Sequence, residues 1–137
     1  MDIDVKYETG VVWQDFQHKQ LMDLFGKIKA AKKNKKEKNL FRYTVAFLAM
    51  YANHHFKLEE EYMENYNYPD TDIHQKEHKS FVKELKSFRA ENKEFSEAAA
   101  DDITTRMGEW ILSHILENDQ KLGTFILEKE QPDFKKD

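Results

Sequence analysis

Four of the six histidines in this 137-residue chain stand at spacings that suit metal ligation, two carboxylates stand with them, and a fifth histidine, His18, lies on a helical stripe of its own. His55 and Glu59 form an HxxxE pair, and His74 and His78 an HxxxH pair. Residues four apart share one face of an α-helix, with about 6 Å of rise between them. His114 and Asp119 are one residue further apart, HxxxxD. On a regular α-helix five residues advance about 500°, leaving about 140° between the two side chains. They are therefore expected to bracket one wide inward face, with Ile111 and Ile115 between them. His18 stands alone. Imidazole and carboxylate without sulfur suit first-row ions, iron first, with manganese or zinc also accommodated. Seven such donors are too many for one tetrahedral zinc. They suit two six-coordinate ions bridged by the carboxylates. His54, turned about 100° from His55, reads as a surface or flank residue.

The elements that must position these residues are helices. His18, Leu21, Phe25 and Ile28 recur at three- and four-residue steps, one stripe of a helix over about 15–35. The stripe dissolves in the lysine-rich run Lys32–Lys38, read as a solvated helix end and loop rather than an anion patch. A second stripe, Phe41, Leu48, Tyr51, His55, Glu59 and Tyr62, predicts a helix over about 39–66, closed before Pro69. A third, His74, His78, Phe81, Leu85 and Phe88, predicts one over about 71–91, capped by Asp70 or Thr71. A fourth, Ile103, Met107, Ile111, His114, Ile115, Asp119, Leu122 and Ile126, predicts one over about 102–129, capped by Asp101 or Asp102 and closed by Pro132. Residues 1–14 show no helical period and read as an extended arm. The fold class predicted is all-α: an antiparallel up-down-up-down four-helix bundle in a single domain over 1–137. Each stripe carries histidine and two also carry carboxylate. A buried polar group is costly without a partner, and a shared metal in the bundle centre would satisfy all of them.

Composition narrows the function. The chain has no Cys, which excludes disulfides, thiolate metal sites and cysteine nucleophiles. No Gly-rich phosphate loop occurs among its four Gly. A net charge of −4 disfavours nucleic acid as a partner. No apolar stretch approaches the length of a membrane span, and the N-terminus is unlike a signal peptide, so a cytoplasmic location without membrane insertion is expected.

The set His18, His55-Phe56-x-x-Glu59, His74-x-x-x-His78 and Trp110-Ile111-x-x-His114-Ile115-x-x-x-Asp119 resembles the hemerythrin pattern in full. The segment from Thr9-Gly10-Val11 to Asp15-Phe16-Gln17-His18 is similar to the arm and first helix of single-domain bacterial hemerythrins, and Phe56-Lys57-Leu58-Glu59-Glu60-Glu61 followed by Tyr68-Pro69 to their second helix and turn. The likeness spans about residues 9–127. It implies two non-haem iron ions per chain, bridged by Glu59, Asp119 and an oxo or hydroxo group. One ion takes His74, His78 and His114; the other takes His18 and His55 and keeps an open position for O2.

The resemblance implies reversible O2 binding, in a carrier or store rather than an enzyme. The alternatives are an O2- or redox-sensing regulatory module and a di-iron enzyme acting on peroxide or nitric oxide. A monomer is expected, with docking to an O2-consuming protein as the means of handing oxygen on. Ile111, Ile115, Phe56 and Trp110 are read as the oxygen pocket, with plain core packing as the other reading. The family usually has Leu where this chain has Ile111, which alters pocket shape. Asp15, three residues before His18, either orients that imidazole or caps the helix start. No Glu-x-x-His occurs, the motif that carboxylate-rich di-iron proteins use, and a histidine-rich donor set favours reversible binding over oxygen activation.

Overall fold

A computed structural model describes residues 4–131. The start of the arm and the closing role of Pro132 lie outside the described residues. Among those described there is no strand. The α-helices are α1 (Val12–Ala30), the short α2 (Lys35–Asn39), α3 (Phe41–Asn65), α4 (Thr71–Glu91) and α5, one continuous run over residues 97–130; the arm is not wholly extended as expected, since Val5–Tyr7 forms one 3-10 turn capped by Asp4. Helix α5 is assembled from Glu97–Asp102, Ile103–Gly108, Glu109–His114, Ile115–Asp119 and Gln120–Glu130, and its second and fourth pieces are π-helical. Helices α1, α3, α4 and α5 make the expected four-helix bundle. No described helix is long and apolar enough to cross a membrane.

Local chemistry moves several boundaries. Helix α1 starts at Val12 and ends at Ala30, and within the lysine run Asn34 caps α2 by accepting from the Glu37 N–H at 3.1 Å. Helix α3 ends in a Schellman motif: Asn67 adopts a left-handed φ of 56°, its N–H donates to the Glu64 carbonyl, and the Tyr68 N–H donates to the Met63 carbonyl at 2.9 Å. Pro69 therefore follows an end already made by Asn67. Asp70 occupies the N-cap position of α4, but its carboxylate makes no cap bond and meets Lys121 Nζ at 3.2 Å instead. The Thr71 hydroxyl donates back to the Tyr68 carbonyl, so neither side chain caps α4 as expected.

Helix α5 begins at Glu97, earlier than the expected 102. Ser96 Oγ accepts from the Ala99 N–H at 3.0 Å, and three alanines follow it with the best intrinsic helix propensity. Asp101 and Asp102 are thus not caps. They lie a turn inside the helix, paired with Lys32 at 2.7 Å and Arg106 at 2.9 Å.

Every predicted stripe faces inward. His18, Leu21, Phe25 and Ile28 of α1 are buried, as are all eight stripe residues of α5. The core divides into two apolar clusters. The larger holds Leu21, Phe25, Leu48, Phe81, Leu85, Met107 and Ile115, among others; the smaller holds Val11, Met63, Tyr68, Leu122, Ile126 and Leu127. The start of α1 and the ends of α3 and α5 meet in the smaller cluster, which is the antiparallel order. Between the clusters lies a layer of polar side chains.

The arm is strapped onto the bundle. Asp15 accepts from the Thr9 N–H (2.8 Å), the Thr9 hydroxyl (2.9 Å) and the Gly10 N–H (3.1 Å). Gly10 turns the chain at a φ of 89°, where glycine meets no Cβ penalty. Gln120 Nε2 donates to the carbonyls of Lys6 and Glu8.

Candidate metal centre

The polar layer between the two clusters consists of His18 from α1, His55 and Glu59 from α3, His74 and His78 from α4, and His114 and Asp119 from α5. All seven side chains are buried, with exposures from 0% for Glu59 to 3% for His114. Five imidazoles and two carboxylates in a dry layer cost several kcal/mol unless their lone pairs and protons are matched, so their arrangement is informative.

Their donor atoms gather into two groups, Glu59, His74, His78, His114 and Asp119 in one and His18, His55, Glu59 and Asp119 in the other, each with atoms within 4.8 Å of one another. The two carboxylates belong to both, and their oxygens divide between them. Glu59 Oε1 lies 3.0 Å from His78 Nε2 and 3.4 Å from His74 Nε2, whereas Glu59 Oε2 lies 3.3 Å from His55 Nε2. Asp119 Oδ1 lies 3.0 Å from His74 Nε2 and 3.1 Å from His114 Nε2, whereas Asp119 Oδ2 lies 2.9 Å from His18 Nε2. Each carboxylate spans a three-histidine end and a two-histidine end. The three-histidine end offers five donors and the other four.

Several donor atoms of the layer are left without a hydrogen-bond partner. His78 Nε2, His114 Nε2 and Asp119 Oδ1 are buried and have no hydrogen-bond partner, despite neighbours at 3.0–3.1 Å. On the far side of two rings, acceptors hold the proton on Nδ1. Gln17 Oε1 lies 2.6 Å from His55 Nδ1, and Glu60 Oε2 lies 2.8 Å from His78 Nδ1. A proton fixed there leaves Nε2 as a lone pair for a cation. The donor set therefore fits a pair of metal cations held by these seven residues.

Electrostatics agree. Burial works against ionised Glu59 and Asp119, but the imidazoles around them outweigh it and hold both carboxyls well below their usual range. Burial likewise disfavours protonated His74, yet its bonds to Asp119 and Glu59 push it up to about 10. The same balance raises His18 and His78. The negative field that draws protons to these rings is the field that divalent cations would occupy.

The HxxxxD spacing works differently from the sequence reading. His114 and Asp119 do not sit about 140° apart. Residues Ile115–Asp119 form a π-helical turn, in which hydrogen bonds reach five residues along instead of four. The widened turn swings Asp119 back beneath His114, to 3.1 Å.

The remaining expectations concern the surroundings. Ile111 and Ile115 are buried in the larger apolar cluster. Trp110 stacks on His114, with centroids 4.7 Å apart and 12° between planes, so it walls the three-histidine end rather than a pocket at the two-histidine end. Phe56 also stacks at the three-histidine end, on His78 at 4.0 Å and 15°, and lies tilted 5.8 Å from His55. The carboxylate of Asp15 is taken up by the arm and neither caps α1 nor bonds to His18, whose Nδ1 has no hydrogen-bond partner among the described residues. His54 is exposed, as expected.

Three polar neighbours of the centre have no counterpart in the sequence reading. Gln14 is fully buried, and its Nε2 donates to Glu59 Oε2 at 2.8 Å. It stands four residues before His18, so its place on the same face is readable from spacing. Gln17 and Glu60 act across helices, α1 to α3 and α3 to α4, and no spacing within one helix reveals them.

Comparison with known proteins agrees with this geometry. Residues 9–126 match the family model described as the hemerythrin HHE cation binding domain. Over 122 residues the chain is 28% identical to a bacteriohemerythrin of Clostridium acetobutylicum, covering 85% of this chain and 93% of the relative. It is 25% identical to a bacteriohemerythrin of Stenotrophomonas maltophilia and 26% identical to one of Pseudomonas aeruginosa, in each case over 81% of this chain and 71% of the relative.

Proposed function

Because this chain belongs to the hemerythrin family of non-haem iron-binding domains, we propose that it binds O2 reversibly at a carboxylate-bridged pair of iron ions, as a carrier or store. The observation that carries the reading is the division of the donors. Two carboxylates serve both ends, and the two-histidine end is one donor short of the other. His74, His78 and His114 would saturate one iron, while His18 and His55 would leave a position free at the second. When bound, the iron pair supplies two electrons to O2 and recovers them on its release.

The chain's own residues make return of the oxygen the favoured outcome. Only two carboxylates touch the centre, against five imidazoles, which gives little stabilisation to high oxidation states. Two divalent cations bring four positive charges, and Glu59 and Asp119 offset two of them inside a dry layer. Gln14, through its bond to Glu59 Oε2, keeps that carboxylate turned so that it reaches both ends. Ile111 and Ile115 keep the surrounding core apolar, which limits the water and protons available to bound oxygen.

The test is an iron-loaded preparation cycled between O2 and argon. Two irons per chain and a visible spectrum that appears under O2, disappears under argon and returns for several cycles are expected. Recovery of a reduced oxygen product after a single cycle would establish an enzyme instead.

A further inference from the structure

The two ends of the centre differ in a second way, which extends the reading just given and rests on it. On the α3–α4 side, His78 Nδ1 faces the carboxylate of Glu60 at 2.8 Å. On the α1–α3 side, His55 Nδ1 faces the amide oxygen of Gln17 at 2.6 Å. Both contacts are short and hold the same tautomer. They differ in charge. A carboxylate acceptor draws the Nδ1 proton toward itself and leaves more electron density on Nε2; an amide oxygen does so far less. A more basic imidazole binds a cation more tightly and favours the higher oxidation state.

Other contacts sharpen the asymmetry. The His78 ring is fixed from one face by Phe56, 4.0 Å away and nearly parallel, so its Nδ1 stays aimed at Glu60. The Glu60 side chain is 30% exposed, and among the described residues its one hydrogen bond and ion pair is with this ring. His18 and His114 have no hydrogen-bond partner on Nδ1. Each end has a ring with a short acceptor behind it, anionic in one case and neutral in the other.

We propose that Glu60 and Gln17 are positioning residues that make the two ions inequivalent. Through His78, Glu60 strengthens the hold on the ion at the three-histidine end. Through His55, Gln17 leaves the ion at the two-histidine end more weakly held and more readily kept reduced.

Cobalt(II) is a suitable probe, because its absorption reports each bound ion without oxygen chemistry. Metal-free protein titrated with cobalt(II) should take up two ions with unequal affinity. Glu60→Gln keeps the size and the acceptor oxygen and removes the charge. It should weaken one of the two binding steps by roughly 10–100-fold, the range for loss of an outer partner of a metal-bound histidine, and leave the other step unchanged. Gln17→Glu should act in the opposite sense on the other step, narrowing the gap. In the cobalt-loaded protein the hyperfine-shifted, exchangeable Nδ1–H signal of His78 should move in Glu60→Gln and stay in place in Gln17→Glu.

Glu60→Gln with both steps at parent strength, or with both weakened equally, would overturn the assignment while leaving the two-ion centre standing. Uptake of fewer than two ions by the parent protein would overturn the two-ion reading and this inference with it.

Discussion

Two alanine substitutions on the same helix should have opposite effects. Gly108 and Gly123 both lie in α5 with helical backbone angles, and propensity alone predicts that alanine stabilises at either by about 0.8–1 kcal/mol. Their surroundings differ. A Cβ at Gly108 would meet the Phe25 ring at 3.7 Å, an ordinary contact. A Cβ at Gly123 would lie 2.8 Å from Thr9 Cβ, 3.1 Å from Gln14 Oε1 and 3.2 Å from the Thr9 carbonyl.

Neither neighbour of Gly123 is free to yield. Thr9 is tied to Asp15 through its N–H and its hydroxyl, and Gln14 is tied to Glu59. Overpacking of this kind costs typically about 1–3 kcal/mol. Set against the propensity gain, Gly123→Ala should lose about 1 kcal/mol net. Gly108→Ala should gain about 0.4–1 kcal/mol. For a chain of this length 1 kcal/mol moves Tm by roughly 3–4 °C, so the two variants should separate by about 6 °C on either side of the parent. Thermal unfolding of the metal-saturated proteins, run side by side, reads this directly. If Gly123→Ala rose by as much as Gly108→Ala, the close fit of the arm against α5 would be refuted.

Further outcomes follow from the same contacts. In metal-free protein, His74 is raised from 6.5 to about 10, so its charged form supports the fold fully below pH 6.5 and that support fades as pH rises through about 10. Glu59 and Asp119, lowered from 4.5 and 3.8, give support that is present above those values and lost on acidification. Bound metal needs neutral rings, so the fall in Tm caused by chelation should be small near pH 6 and grow toward pH 9; a fall independent of pH would contradict this balance. Asp15→Ala should cost about 1.5–3 kcal/mol through lost charged hydrogen bonds and speed amide exchange at Thr9 and Gly10, with two metals retained; loss of metal with an unchanged arm would restore Asp15 as a partner of His18. Ile111→Ala, at a position only 2% exposed, should cost about 2–4 kcal/mol and leave the metal content intact, as checked by denaturant unfolding and metal analysis.

The sequence by itself determined the helices that matter and which face of each turns inward. Residues four apart must share a helix face, so His55 with Glu59 and His74 with His78 could be paired from spacing alone, and all four are buried. It also determined the kind of chemistry, because imidazoles and carboxylates on apolar stripes have few satisfactory partners other than cations.

Tertiary structure decided what no single helix contains. Asp15 lies three residues from His18, yet it bonds to the arm, because the turn at Gly10 brings Thr9 within its reach. Gln17 and Glu60 meet their histidines across helix boundaries, and their roles depend on how the helices pack. The five-residue step from His114 to Asp119 is awkward for a regular helix. A π-helical turn takes its place, and that turn brings Asp119 to 3.1 Å from His114. Periodicity is local and survives in the sequence; the partner behind each imidazole is a contact between segments and exists only once the bundle has formed.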